Sequence, residues 1–185
     1  PTQTVNAFYN SMQGTLYNFY GPTEASIDVT SWQCSTDSKL GSTPIGYPID
    51  NTKIFILNRD LQIIPRATKG TIYISGIALA NGYVNDQAKT EKSFLEQQTV
   101  CEHTIYNTGD CGYISTAGRL MYIGRNDEQI KLRGFRIELG EISATLLSME
   151  EIEDAAVSLC NTTESSYLHA VITAKKTISQ RRIND

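Results

Sequence analysis

Gly124-Arg-Asn-Asp-Glu-Gln-Ile-Lys-Leu-Arg-Gly-Phe-Arg-Ile-Glu-Leu-Gly-Glu-Ile142 is the stretch on which the reading of this sequence turns. A solvated charged linker would account for its charges alone. Against that, the basic side chains are interleaved with Ile130, Leu132 and Ile137, a pattern of ordered strand and turn. The stretch also straddles a change in composition. Residues 1–126 hold nine basic and ten acidic side chains, whereas residues 127–185 hold seven and ten in less than half the length. A boundary is therefore expected just after Gly124-Arg-Asn126, giving two parts, 1–126 and 127–185.

Beyond the boundary, Leu139, Ile142, Leu146 and Met149 recur at helical spacing, which predicts an amphipathic helix over about Leu139–Met149 with the methionine in its core face. Ala155–Cys160 and Tyr167–Thr173 read as strands. In the second, Leu168, Ala170 and Ile172 share one face and Tyr167 and His169 the other. The acidic run Glu150–Asp154 is expected to be a solvated turn. A basic segment, Lys175-Lys176 and Arg181-Arg182, follows. Helix, strand and strand make the start of a small α+β domain.

Before the boundary the chain reads as β-rich. Ser26–Trp32, Thr52–Leu57 and Thr71–Ser75 are the strand candidates. Gly41-Ser-Thr-Pro44, Asn58-Arg-Asp60 and Lys69-Gly70 punctuate them. Asp86 can cap a helix through about Gln97, with Ala88, Phe94 and Leu95 as a weak apolar face. Gly112–Ser115 and Arg119–Ile123, joined by Thr116-Ala-Gly118, predict a hairpin.

Two upstream segments carry chemistry. In Asn18-Phe-Tyr-Gly-Pro-Thr-Glu24, Gly21 and Pro22 make a rigid turn, because glycine allows positive φ and proline fixes its own. A plain β-turn explains Gly-Pro by itself. The full heptapeptide also suits a nucleotide site: an aromatic to stack on a base, a hydroxyl to meet a phosphate, a carboxylate to hold Mg²⁺. In Tyr106-Asn-Thr-Gly-Asp110, the carboxylate could clamp a vicinal diol, or the segment could be a turn before the next strand.

The 185 residues (20.5 kDa) allow one domain or one plus part of another, at roughly 100–200 residues each. With 40% hydrophobic residues there is enough apolar material for a core. The net charge of −4 argues against a duplex nucleic-acid binder, which needs a basic stripe. No apolar run approaches the roughly 20 residues of a membrane span, and no signal peptide is evident. A chain that opens with Pro1 and no Met is read as lacking its original start. Cys34, Cys101, Cys111 and Cys160 form no C-x-x-C pair and only two histidines exist, so a standard zinc site and a disulfide framework are not expected. Four reduced thiols in a cytoplasmic protein is the plain reading.

Taken together, the three segments resemble the adenylation domain of nonribosomal peptide synthetases, within the adenylate-forming superfamily that includes acyl-CoA synthetases and luciferases. Asn-x-Tyr-Gly-Pro-Thr-Glu is matched in full. The family's Tyr-Arg-Thr-Gly-Asp-Leu stands here as Tyr106-Asn-Thr-Gly-Asp-Cys111, with two departures. The long pattern at 124–142 is matched throughout. A weaker match is Gly70-Thr-Ile-Tyr-Ile-Ser-Gly-Ile-Ala-Leu-Ala-Asn-Gly-Tyr83, where Ala78 and Asn81 replace the family's Gly and Arg.

The resemblance implies an α+β chain: the β-rich end of the large subdomain, a distorted β-barrel, through residue 126, then a hinge and the first part of the small subdomain. The family's phosphate loop and the Asp that meets the substrate amino group would lie before Pro1, and its catalytic Lys beyond Asp185. The chain is thus expected to be a fragment, inactive alone, of an enzyme that makes an aminoacyl-adenylate from an amino acid and ATP. That enzyme passes the acyl group to the phosphopantetheine thiol of a peptidyl carrier protein. Expected partners are the amino acid, the carrier and the remaining part of the domain, with no nucleic acid and no membrane.

By the same resemblance, Asn18 and Tyr20 would line the adenine site, and Gly21 would belong to the nucleotide-binding set. Thr23 would meet the α-phosphate and substrate carboxylate, and Glu24 would bind Mg²⁺. Asp110 and Arg125 would hold the ribose hydroxyls, with Tyr122 beside the nucleoside. Phe19, Ile27 and Asp28 fall at substrate-pocket positions, although core packing would account for Phe19 and Ile27 equally. An acid among them suggests a substrate with a basic or hydroxyl-bearing side chain. Asp127 matches the hinge and Gly134 the turn near the pantetheine path. The competing readings are an acyl- or aryl-acid CoA ligase fragment, a non-catalytic remnant, and one half of a split enzyme.

Overall fold

The computed structural model describes residues 2–36, 42–162 and 165–175. The chain divides into two compact units, Pro1–Asn126 and Asp127–Asp185. Gly41, Lys176, Arg181 and Arg182 lie outside the described residues.

The first unit opens with a helix, α1 (Thr2–Ser11), that buries only Val5. A three-stranded antiparallel sheet follows: β1 (Tyr17–Tyr20), β2 (Thr30–Gln33) and β3 (Tyr47–Pro48). The main sheet contains β4 (Thr52–Leu57), β5 (Gly70–Gly76), β6 (Phe94–Glu96), β7 (Thr104–Ile114) and β8 (Leu120–Arg125). Its order is β4-β5-β7-β6, with β8 also pairing β7. The two sheets meet where Gly46 bridges Leu120.

β5 is the centre of this unit. Four successive residues, Ile72, Tyr73, Ile74 and Ser75, are buried, so both faces of the strand are covered. Ile74 packs with Ala25, Val29 and Tyr106, and Ile72 with Ile45, Ile56 and Leu120. Tyr73, on the other face, packs with Leu57, Cys101 and Ile105. Each fully buried side chain of this size contributes roughly 1.5–3 kcal/mol. The β7–β8 hairpin closes through Gly118 at φ +78, whose N–H donates to the Ser115 carbonyl at 2.8 Å.

In the second unit, β9 (Gln129–Leu132) and β10 (Phe135–Glu138) form an antiparallel hairpin. Its two central residues, Arg133 and Gly134, have φ +52 and +86, the left-handed pair that matches strand twist. Gln129 donates to Glu138 across it. α3 (Leu139–Leu147) then packs against β11 (Ile152–Asn161), which pairs antiparallel with β12 (Ser166–Ala174).

The α+β, sheet-rich character follows the sequence, but several elements differ. The helix from Asp86 is α2 (Gln87–Ser93) and stops four residues early. Phe94 leaves it to bury its ring against Tyr106, and Phe94–Glu96 then pairs with β7 instead. Ser26–Trp32 is not one strand: Ser26 and Ile27 take positive φ, and pairing starts only at Thr30. Met149 lies beyond α3 and is 42% exposed, so it is not core; of the predicted helix face only Leu139 is buried. The acidic run is a turn only at its start, because Ile152 is buried and opens β11. Ala170 is exposed although Leu168 and Ile172 beside it are half-buried, and Tyr167 and His169 are exposed as expected.

Candidate functional site

β1 alternates exposed and half-buried residues, so Asn18 and Tyr20 share the inner face while Tyr17 and Phe19 point outward. The Asn18 amide donates to the Pro44 carbonyl at 2.8 Å. The Tyr20 hydroxyl donates to Asp110 Oδ2 at 2.6 Å. Burial, then the adjacent Asp110 charge, raises the Tyr20 phenol far above its usual range, so it remains a donor at any working pH.

Asp110 reaches this position through a bulge. Opposite β5, the register jumps from Tyr73–Asn107 to Thr71–Cys111, so Thr108, Gly109 and Asp110 face Ile72 alone. Gly109 takes φ +71, and Thr108 Oγ1 both donates to the Ile72 carbonyl and accepts from the Asp110 N–H. Thr-Gly-Asp is thus a bulge inside one eleven-residue strand, not a turn between two.

From β8, Arg125 donates through Nη1 to Asp110 Oδ1 at 2.9 Å and through Nη2 to the Thr108 carbonyl at 3.1 Å. The Arg125 and Asp110 side chains are 16% and 9% exposed, so this ion pair is largely shielded from solvent. Tyr122, on the same strand and 42% exposed, lies with its ring centre 6.4 Å from that of Tyr20. The structure therefore brings Tyr20, Asp110, Tyr122 and Arg125 together from three strands.

The Gly-Pro turn leads into a single 3₁₀ turn, Thr23–Ala25. A Cβ on Gly21 would lie 2.3 Å from the Ile27 carbonyl oxygen, so no larger residue fits there. Thr23 is exposed; Glu24 is buried, and its Oε1 accepts a 2.6 Å hydrogen bond from the Tyr83 hydroxyl. After it, the Asp28 N–H donates to the Ser26 carbonyl, closing a γ-turn around Ile27 at φ +75. A β-branched residue in that region is strained, and Ile27 is 83% exposed. Phe19 is 54% exposed and stacks on Tyr17 with ring centres 6.0 Å apart. Neither residue is core in this chain, and Asp28 is half-buried.

Asp127 and Gly134 belong to the second unit. Asp127 is exposed and its Oδ1 accepts from the Gln129 N–H at 3.2 Å; Gly134 occupies the β9–β10 turn. Sequence reasoning missed Tyr83 and Thr108. The Gly82-Tyr83 pair closing the Gly70–Tyr83 pattern was the available signal for the first. The hydroxyl inside Thr-Gly-Asp was the signal for the second.

The family model described as AMP-binding enzyme matches residues 1–84. The chain is 41% identical over 169 residues to bacitracin synthase 1 of Bacillus licheniformis, covering 91% of this chain and 3% of that protein. It superposes on PA1221, an NRPS protein containing adenylation and PCP domains, with a TM-score of 0.82 at 30% identity, over 99% of this chain and 38% of that one. The Vibrio cholerae adenylation domain AlmE, solved in complex with glycyl-adenosine-5'-phosphate, gives 0.82 at 27% identity, over 95% and 35%. The chain thus spans a small part of the relative and just over a third of each solved chain. Among the described residues no helix is long and apolar enough to cross a membrane. By sequence motifs, homology and fold, this chain belongs to the AMP-binding enzyme family and corresponds to part of an adenylation domain of the nonribosomal-peptide-synthetase type.

Proposed function

We propose that this chain supplies the nucleoside-binding wall of an amino-acid-activating adenylation domain. On this reading Pro1–Asn126 is the end of the large subdomain, and Asp127–Asp185 is the hinge and the first part of the small one. The complete enzyme joins an amino acid carboxylate to the α-phosphate of ATP, releasing pyrophosphate. A phosphopantetheine thiol of a peptidyl carrier then attacks the acyl carbon and AMP leaves. The four unpaired thiols suit a reducing, cytoplasmic setting.

The observation that carries this reading is the Tyr20–Asp110–Arg125 cluster. Two donors from different strands fix one carboxylate, on a bulge that re-aims it, at the edge of two tyrosine rings. Such a preset carboxylate accepts hydrogen bonds from a vicinal diol without first having to be ordered. Asp110 and Arg125 then hold the ribose hydroxyls. Asn18 and Tyr20 line the adenine, Tyr122 lies beside the nucleoside, Gly21 belongs to the same nucleotide-binding turn, and Thr23 meets the α-phosphate and the substrate carboxylate. Phe19, Ile27 and Asp28 contribute to the amino-acid pocket, where the acid favours a basic or hydroxyl-bearing side chain.

Glu24 is the residue for Mg²⁺. Among the described residues no three His, Cys, Asp or Glu side chains converge. Mg²⁺ is commonly held by one or two carboxylates together with substrate phosphates, so a single Glu beside a nucleotide site fits it. When bound, the ion neutralises phosphate charge.

The test is Asp110→Ala in the intact synthetase. Removing charge-assisted bonds worth about 1.5–3 kcal/mol should raise the apparent ATP constant at least tenfold while leaving the amino-acid constant near its original value. A raised amino-acid constant with an unchanged ATP constant would remove the ribose assignment.

A further inference from the structure

We propose that Tyr83 is a positioning residue for Glu24: its phenol sets the carboxylate in the orientation that receives the metal ion. The inference rests on the reading of Glu24 as the Mg²⁺ residue, and it concerns a side chain 59 positions away in sequence.

The segment Leu79–Tyr83 grips Glu24 twice. The Ala80 N–H donates to the Glu24 carbonyl at 2.8 Å, and the Tyr83 hydroxyl donates to Glu24 Oε1 at 2.6 Å. The second distance is that of a charge-assisted O–H···O⁻ bond. Glu24 is only 8% exposed, so this donor compensates an otherwise costly burial of charge.

Tyr83 is itself held from several sides. Its N–H donates to Thr90 Oγ1 at 2.8 Å, and that hydroxyl donates in turn to the Asp86 carbonyl at 2.8 Å. Asp86 caps α2 by accepting from the Lys89 N–H. Gly82, at φ +143, lets the chain pass Thr90 so closely that a Cβ would come within 2.5 Å of its Cγ2. The Tyr83 ring lies edge-to-face against Phe94, centres 5.8 Å apart, and Lys89 Nζ sits 4.9 Å from its centre. None of these contacts needs the hydroxyl. A phenylalanine would satisfy these packing contacts; the hydroxyl also interacts with the Tyr106 and Ser93 side chains, and of its partners Glu24 is the one that carries charge and accepts the 2.6 Å bond.

A carboxylate on a flexible stem samples many orientations, whereas Mg²⁺ demands near-ideal octahedral geometry. Fixing one oxygen removes that freedom before the ion arrives. Loss of such a supporting contact typically weakens metal binding by about 10- to 100-fold.

The experiment uses the intact synthetase and Mn²⁺ as probe. Mn²⁺ binding is followed by electron paramagnetic resonance in the presence of α,β-methylene ATP, for the native enzyme, Tyr83→Phe, Glu24→Gln and the double variant. Tyr83→Phe should raise the Mn²⁺ dissociation constant roughly tenfold. Its metal-free nucleotide affinity should stay within error of native, while loss of the donor to the buried Glu24 carboxylate should lower its melting temperature only modestly. The double variant should bind no more weakly than Glu24→Gln alone. If Tyr83→Phe binds Mn²⁺ like the native enzyme while Glu24→Gln does not, the positioning role is wrong and the metal assignment survives. If Glu24→Gln also binds normally, the metal assignment itself fails and takes the proposal with it. An equal loss of metal-free nucleotide affinity in Tyr83→Phe would show a general shaping of the pocket and overturn the specific role.

Discussion

Pro1–Asn126 and Asp127–Asp185 are built to different depths. The first unit buries its central strand on both faces and assembles three apolar clusters around it. In the second, the described residues bury only Gln129, Leu139 and Ile152, while Phe135, Val171 and Tyr167 are 72%, 60% and 46% exposed. The side chains of the candidate nucleotide site sit on, or one turn from, strands of the deep unit. Their bonds are correspondingly specific: Tyr20, Arg125 and Tyr83 each aim a donor at a buried carboxylate. The two candidate residues of the second unit, Asp127 and Gly134, sit in exposed backbone turns. A site that must hold charges at fixed distances needs rigid support. A pivot or a path for a flexible arm needs chain that can yield.

Glycines offer the strongest way to break this contrast. Gly46 has φ +96, and a Cβ there would lie 1.9 Å from the Ser31 carbonyl oxygen and 2.8 Å from Trp32 Cβ. The obstacle is the backbone of β2, which cannot rotate away. Gly46→Ala should therefore cost more than about 3 kcal/mol, at the severe end for single substitutions. The single tryptophan, Trp32, is next to the clash and reports it directly. Urea unfolding followed by its fluorescence should show a greatly lowered midpoint or no cooperative transition. A native-like midpoint would mean that the packing of β2 against this corner is far looser than its geometry indicates.

The same contrast governs how much was legible in the sequence. Thr52–Leu57, Thr71–Ser75 and the hairpin around Thr116-Ala-Gly118 could be read because buried strands use runs of β-branched residues and hairpins need a left-handed glycine. α1 is weakly signalled: its stripe is only Val5, Phe8 and Tyr9 in a short, otherwise mostly polar segment, with Val5 alone fully buried. The early end of α2 was hidden because Phe94 fits a weak helical face as well as a strand; its burial against Tyr106 decides. At the site, motif residues could be listed but not their pairing. Nothing in Thr-Gly-Asp announces a bulge, and nothing local ties Tyr83 to Glu24. Both depend on register between elements far apart in sequence.

A second way to sharpen the contrast is Asp127→Pro. Asp127 is the first residue after the deep unit, and its carboxylate accepts from Gln129 N–H in a local turn. A pivot must absorb a large φ/ψ change, and proline fixes φ near −65°. In the intact synthetase, thioester loading of the carrier should fall at least tenfold, or about 1.4 kcal/mol, relative to adenylate formation. Pyrophosphate exchange and loading of radiolabelled amino acid measure the two steps separately. Equal losses would indicate general damage instead of a blocked pivot. Unchanged loading would move the pivot to Arg125 or Asn126.

The smallest effect belongs to Gly134, the counterpart of Gly46. Its φ of +86 disfavours a side chain, but nothing lies within 4 Å of where a Cβ would point. Gly134→Ala therefore meets only the backbone cost of the left-handed region, about 1 kcal/mol. Hydrogen exchange of the β9–β10 amides should show this as faster opening confined to that hairpin. Asparagine tolerates the left-handed region, so Gly134→Asn should recover most of the loss. The pair separates two roles for the residue. If Gly134 serves only the turn, Gly134→Asn restores both hairpin protection and carrier loading in the intact synthetase. If the turn also borders the path of the pantetheine arm, the asparagine side chain intrudes on open space that the glycine leaves. Protection then returns while loading stays depressed, with adenylate formation unaffected. Loss of adenylate formation in either variant would contradict both roles, because it would tie this exposed turn to the chemistry proposed for the deep unit.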